Sequence, residues 1–424
     1  MTEPMTRLVL DADTGIDDAL ALSYLLASPQ ADLLGVVGTY GNVTAQSAVR
    51  NSRDVLRLFG RDDIPVFAGC EAPSWADLFE VDEGCARFHG SNGLGNVNPV
   101  TYMPQGGDRD HAGDHAGDRD HAGDGDHAAG AARSAEAARS SAAFRGRLIK
   151  SVGGEHVDVV ATDVASANVS AAATAAFAAT ATSAATSAAG IDAVTYAAMA
   201  DAAAASREGE GVRFIIDTVR RLGRDVTVVA TGPLTDIDAA IRQAPDIVAN
   251  LKLVIMGGSL TQEGNCYDLV CETNIFQDPE AANRVFRSGV DVTMIGLDVT
   301  HQCLMTREDA ESWRATGTRR GAFLADMVRF YINANESSDP IFLAGSPLHD
   351  PLAVAVALDP MLVDCLPINM MTETATGNGH GVRGRTIGDP TRLRQTNKTT
   401  HVAFGVDARR FTTMFRERLE ALCS

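Results

Sequence analysis

With 424 residues, 45% of them hydrophobic, the chain can hold one large domain or two or three ordinary ones around a sizeable core. A formal net charge of −19 argues against nucleic acid and anionic membranes as partners, because the average surface repels both; a small neutral or metal-bridged ligand suits it better. Residues 1–7 lack the basic and apolar segments of a signal peptide, no run is apolar and charge-free enough for a membrane span, and the seven cysteines show no CxxC spacing, so a cytoplasmic protein with reduced thiols is expected.

The apolar run Leu8-Val9-Leu10 reads as a buried strand and feeds four carboxylates, Asp11, Asp13, Asp17 and Asp18, with Gly15 as the turn among them. Like charges this close raise one another's pKa values and call for a cation, and ligands of open α/β sheets bind at the carboxyl ends of such strands. The alternative is a solvated acidic loop with an Asp helix cap. Helical spacing continues over Ala19–Leu26, a strand over Leu33–Val37 ends in Gly41-Asn42, a helix spans Ala45–Leu58, and a short strand runs over Val66–Gly69. This alternation predicts a doubly wound, mostly parallel sheet with helices on both faces. The glycines from His89 to Gly95 lack the Gly-Lys-Ser/Thr ending of a phosphate loop, which leaves a Gly-hinged loop carrying His89 over a pocket, or a plain surface loop.

From residue 101 to 206 the composition changes: Asp-His-Ala-Gly-Asp recurs from Asp110, Asp114 and Asp120, and Ala, Ser and Thr then dominate. Such a stretch has too little large apolar surface to offset its chain entropy, so it is expected to be a disordered insertion in a single domain. His111, His115, His121 and His127 within it are at most weak transition-metal ligands.

The pattern resumes with a helix over Val212–Leu222, a strand over Val226–Ala230, the turn Thr231-Gly232-Pro233 and a helix over Leu234–Ile241. Further strands are expected over Leu251–Met256 and over Val292–Leu297, the latter ending in Asp298. Asn265, Glu272, Thr273 and Asn274 read equally well as loop and cap residues. His349-Asp350-Pro351 leads into a helix over Ala353–Leu358, where Asp350 reads locally as the cap with Pro351 in the first turn. Met370–Asp389 is hairpin-like and Arg409–Leu422 is an amphipathic closing helix.

Taken together, Asp11-Ala12-Asp13-Thr14-Gly15-Ile16-Asp17-Asp18, Gly41-Asn42, Ala230-Thr231-Gly232-Pro233-Leu234-Thr235, Met256-Gly257-Gly258, Asn274-Ile275 with Asp278-Pro279-Glu280, and His349-Asp350-Pro351 resemble the inosine-uridine nucleoside hydrolase family. The motifs stand in the family's order and span the chain outside the insertion. The resemblance implies hydrolysis of the N-glycosidic bond of ribonucleosides through an oxocarbenium-like transition state. It implies a Ca²⁺ ion held by Asp13, Asp18, Asp350 and the carbonyl of Thr231, all hard oxygen donors, with Asp13 as the general base toward a calcium-activated water. Asp17, Asn42, Asn265, Glu272 and Asn274 would bind ribose hydroxyls, Met256 would line the substrate site, His89 would sit on the base side, and His349 would protonate the leaving base. Homodimers or homotetramers are implied as well.

Histidines at both base-side positions resemble the base-tolerant or pyrimidine-preferring branches, whereas the purine-specific branch stacks the base between tryptophans; Trp75 and Trp313 lie away from the matching motifs. Two departures stand out: Thr273 replaces a Phe common in relatives, and the insertion follows the base-side loop. Two rivals remain. A non-catalytic nucleoside or ribose binder could use the same scaffold. A Mg²⁺-dependent phosphatase of the haloacid dehalogenase type would need Asp11 as nucleophile and a pocket lysine, but Lys252 stands at the start of its strand and Asp17-Asp18 would have no role.

Overall fold

The structure, a computed structural model, describes residues 5–104, 209–266, 269–338, 345–376 and 382–424. It separates one unit, Met1–Gln105 with Ala200–Ser424, from the segment Gly106–Met199. The expected insertion and its four histidines lie outside the described residues, apart from Thr101–Pro104. That start is a correction: Pro99–Tyr102 form a 3-10 turn, and the Tyr102 hydroxyl donates to Asp326 at 2.7 Å.

Six strands run in parallel, β1 (Thr6–Ala12), β2 (Ala31–Gly38), β3 (Val66–Ala68), β4 (Val226–Ala230), β5 (Lys252–Met256) and β6 (Asp291–Ile295). Two small antiparallel pairs, β7 (Leu304–Met305) with β8 (Ser346–Pro347) and β10 (Met370–Thr372) with β11 (Thr386–Gly388), lie apart from that sheet. β9 (Val363–Ile368) and β12 (Thr400–Val406) complete it in the order β3-β2-β1-β4-β5-β6-β12-β9, with β12 parallel to β6 and antiparallel to β9. The order turns around between β1 and β4, and the carboxyl ends of the strands at such a switch point are where open α/β sheets bind ligands.

Strand side chains alternate between faces, and both faces are dry. Leu8, Leu10 and Ala12 of β1 join one core with Val229, Val254, Met256 and Ile295; Val9 joins the other with Val228, Ile255, Val292 and Met294. The first core is closed by α1 (Ile16–Leu26) and by the helices Arg319–Ser338, His349–Leu358 and Ala408–Cys423; the second by Glu210–Leu222, Thr235–Gln243 and Pro279–Arg287. Ten of the eleven residues of α1 are buried, so this helix has no polar face, and truncating Leu20 to Ala would cost about 2–5 kcal/mol. Among the described residues no helix is long and apolar enough to cross a membrane.

The expected doubly wound, mostly parallel sheet is present, and the helix expected over Ala45–Leu58 has those bounds. The strand expected to reach Leu297 stops at Ile295, because Leu297–Thr300 turn into a short helix. Helices Arg307–Ala315 and Arg319–Ser338 were not anticipated.

Candidate active site

Around the start of α1 the chain packs so closely against the carboxylates that two positions admit only glycine. Gly15 is the N-cap of α1 at φ −84°, an ordinary conformation, so it is space and not backbone freedom that demands glycine there. A Cβ would lie 2.5 Å from His89 Nδ1 and 2.8 Å from Asn42 Nδ2. At Gly41, with φ +154°, a side chain is excluded on both counts, since a Cβ would fall 1.9 Å from Asp13 Oδ2.

Asp13 is fully buried: its Oδ2 accepts the Asn42 N–H at 2.7 Å and its Oδ1 the Asn42 side-chain amide at 3.1 Å. Asp18 accepts the Gly15 N–H at 2.8 Å and the Thr231 hydroxyl at 2.7 Å. Asp17 accepts the Tyr331 hydroxyl at 3.4 Å on Oδ2, while its buried Oδ1 has no hydrogen-bond partner. Asp350 lies inside the helix His349–Leu358, whose N-cap is Leu348; the expected capping role is therefore corrected, and the carboxylate is free to join the cluster.

Oxygens of Asp17, Asp18 and Asp350 lie within 4.8 Å of one another, and all three residues are buried. Burial, first, drives the Asp17 and Asp18 pKa values up to about 6; for Asp18 the Asp17 charge adds to it. Asp13 and Asp350 are also raised, by burial and then by neighbouring carboxylates. A dry set of hard oxygen donors with one orphaned oxygen fits a divalent cation of the calcium or magnesium kind. The grouping differs from the expected ligand set: Asp17 joins Asp18 and Asp350, and Asp13 stands beside Asp18 in the grip of Asn42. The Thr231 carbonyl accepts the Asn274 amide at 2.9 Å.

The sugar-side expectations divide. Asn42 and Asn274 are both buried; Asn42 holds Asp13, and the Asn274 amide reaches the Met256 carbonyl at 3.1 Å as well as that of Thr231. Glu272 takes the cap reading: it accepts N–H groups from Asn274, Ile275 and Gly258, and it remains within electrostatic range of Asp17. Asn265 is exposed, its carbonyl oxygen held by the Thr273 N–H and hydroxyl, each at 3.0 Å.

His89 ends the helix Glu83–His89 and is no loop hinge. Its Nδ1 accepts the Ile16 N–H at 3.1 Å, so the ring proton sits on Nε2. Burial lowers its pKa to about 4, so the ring is neutral and its 3.7 Å approach to Asp17 is no ion pair. The following loop is pinned from within: Asn92 accepts the Leu94 and Asn96 N–H groups, each at 2.9 Å, and donates to the Val97 carbonyl at 2.8 Å. Asn51 of the helix Ala45–Leu58 ties this loop to the acidic turn through the Asn92 and Thr14 carbonyls. His349 meets the Thr300 hydroxyl at 2.8 Å, and burial, then His301 and His89, hold its pKa well below the usual histidine value. The sequence reading missed Tyr331, Asn51 and Thr300. None of them sits in a motif, and only the packing of distant segments brings each to the site.

The family model for inosine-uridine preferring nucleoside hydrolases matches residues 8–413. A purine-preferring ribonucleoside hydrolase from Gardnerella vaginalis is 37% identical, with a TM-score of 0.69 over 98% of this chain and 99% of that one. An inosine-uridine preferring nucleoside hydrolase from Leishmania major is 27% identical over 98% of both chains, and a pyrimidine-specific ribonucleoside hydrolase from Escherichia coli is 26% identical over 97% of this chain and 98% of its own. An inosine-guanosine nucleoside hydrolase, 20% identical at a TM-score of 0.59, shares the fold. Its sheet, the buried acid cluster and these matches along nearly its whole length agree: the chain is a ribonucleoside-cleaving N-glycosidase and belongs to the inosine-uridine preferring nucleoside hydrolase family.

Proposed function

We propose that the protein hydrolyses the N-glycosidic bond of ribonucleosides in a calcium-dependent reaction, with Asp13 as general base. The observation that carries this reading is the buried carboxylate cluster with the orphaned Asp17 oxygen. Asp18, Asp350, Asp17 or Asp13 and the Thr231 carbonyl are the groups that would hold the ion. When bound, calcium supplies a Lewis-acidic centre that acidifies a water and orients the sugar hydroxyls.

Asp13 takes the proton of the attacking water. Burial and the Asp18 charge raise its proton affinity, which suits a base, and the Asn42 contacts fix its orientation. As the water oxygen bonds to C1′ and the C1′–N bond breaks, positive charge develops on the sugar, and the surrounding carboxylates stabilise it. Asp17, Asn42, Asn265, Glu272 and Asn274 bind ribose hydroxyls in this reading; their demand for those hydroxyls disfavours 2′-deoxyribosides. His349 is buried and neutral, so it serves the departing base as a neutral N–H donor from Nε2, oriented by Thr300.

Base preference is proposed to be broad or pyrimidine-directed. Trp313 is buried against Phe415 and has no face left for a base, and the exposed Trp75 holds the Gln277 carbonyl with its N–H and Arg383 over its ring, which gives no paired tryptophans for a purine sandwich. The Thr273 hydroxyl makes the 5′ side polar, which extends the substrate range to ribosides with a polar 5′ substituent. A homo-oligomer and cytoplasmic residence belong to the same reading; seven free cysteines support the latter.

The test is release of reducing sugar from inosine, uridine, cytidine and adenosine, as purified and after chelation. Ribose that disappears on chelation and returns with Ca²⁺ is expected. No cleavage of any ribonucleoside by calcium-loaded protein would shift the reading to a binder.

A further inference from the structure

Between β5 and Glu272 the chain crosses the carboxyl edge of the sheet, and residues Ser259–Gln262 have no helix or strand of their own. Backbone groups without regular structure need other partners, and surface loops usually leave that to water. Here two side chains of opposite charge, from distant parts of the sequence, take the task over.

Asp298, in the short helix after β6, accepts the Leu260 N–H at 2.8 Å on one oxygen. On the other it accepts the Thr261 N–H at 2.8 Å, the Thr261 hydroxyl at 2.6 Å and the Gln262 N–H at 3.2 Å. Arg385, just before β11, donates to the Ser259 hydroxyl at 2.9 Å and to the carbonyls of Leu260, Gln262 and Val270 at 3.1, 3.0 and 2.7 Å. Thr386 closes the remainder, accepting the Ser259 N–H at 3.0 Å and donating to the Ser259 carbonyl at 2.7 Å. The donors of four successive residues thus meet oxygen acceptors, and bonds to ionised groups are about twice as strong as neutral ones.

The segment held this way leads directly into the sugar side of the site. Gly258 donates to Glu272 at 2.9 Å, the Asn265 and Cys266 N–H groups reach the Cys271 carbonyl, each at 3.0 Å, and Asn265 grips Thr273. We propose that Asp298 and Arg385 are positioning residues for sugar recognition: they hold the Ser259–Gln262 segment from its N–H and carbonyl sides and thereby preset Asn265 and Glu272 for ribose. This rests on the reading of those two residues as ribose contacts. A preset loop spares the substrate the ordering entropy it would otherwise have to overcome, and that shows in affinity. The same short helix presents Thr300 to His349, so the clamp and the base-side donor share one support.

The experiment compares Asp298→Asn, Arg385→Lys and Asn265→Ala in the full chain with calcium. It measures KM, kcat per active site, and inhibition by free ribose. Asp298→Asn keeps the shape and turns an N–H₂ toward N–H groups; Arg385→Lys keeps the charge but cannot span four acceptors. The expected result is a rise of about tenfold in KM and in the ribose inhibition constant for both clamp variants, with kcat changed less than about threefold. Asn265→Ala should raise the same two constants. If Asn265→Ala raises them and neither clamp variant does, the clamp proposal is overturned while the sugar reading stands. If Asn265→Ala leaves both constants unchanged, the sugar reading falls and the proposal with it. A clamp variant that loses folded protein while its active fraction keeps the parental KM also overturns it.

Discussion

Replacing Asp13 by Asn separates what this carboxylate does for the reaction from what it does to the fold. The two side chains have nearly the same shape, and the retained carbonyl oxygen can still accept the Asn42 N–H now found at 2.7 Å from Oδ2. What disappears is the negative charge, in a place where burial and Asp18 already oppose it. General-base catalysis is worth roughly 10² to 10⁴ in rate, about 2.7–5.5 kcal/mol of activation free energy, so kcat should fall by that factor on inosine or uridine. Stability should move the other way. In chelated protein the substitution removes one of several mutually repelling buried charges, a relief of about 1–2 kcal/mol, and Tm should rise by roughly 2–5 °C. Reducing-sugar release and a thermal melt at pH 7.5 with chelator provide both numbers. A rate loss smaller than tenfold would remove Asp13 as the base. A Tm that drops by several degrees would refute the claim that its charge is a burden on the fold.

Chelated wild-type protein should lose stability as pH rises from about 4 to past 6. Asp17 and Asp18 have folded pKa values raised to about 6, so the folded state binds more protons than the unfolded state within that window, and ionising them opposes folding. Saturating Ca²⁺ should restore Tm most at the upper end; a chelated Tm independent of pH would contradict the crowding. His349→Ala should slow nucleosides more than p-nitrophenyl riboside, whose leaving group needs no help, and because the ring is already neutral the parental rate should show no ionisation of His349 near pH 6.5. Equal losses on both substrates would argue against its acting on the leaving base. Deleting residues 106–188, within the separate segment, should give a folded and active enzyme, as judged by circular dichroism and turnover; an insoluble product would show that the core depends on that segment.

The sequence by itself determined the sheet and the address of the site. Leu8-Val9-Leu10 and Val226–Ala230 are apolar on both faces because their strands are buried on both faces, and the acids follow the first of them directly. The motifs in their order then singled out the carboxylates, the two histidines and Thr231 by resemblance alone, because residues spread from 13 to 350 share no local spacing. Tertiary structure alone decided which groups touch. Asp350 reads as a cap in isolation and becomes a cluster member only because the helix is capped two residues earlier, at Leu348. His89 reads as a loop residue and becomes a fixed, neutral acceptor of the Ile16 N–H because the helix Glu83–His89 packs onto the acidic turn. Tyr331, Asp298 and Arg385 carry no motif; their partners lie 314, 36–38 and 115–126 residues away, and separations of that kind are set by packing, which no window of sequence contains.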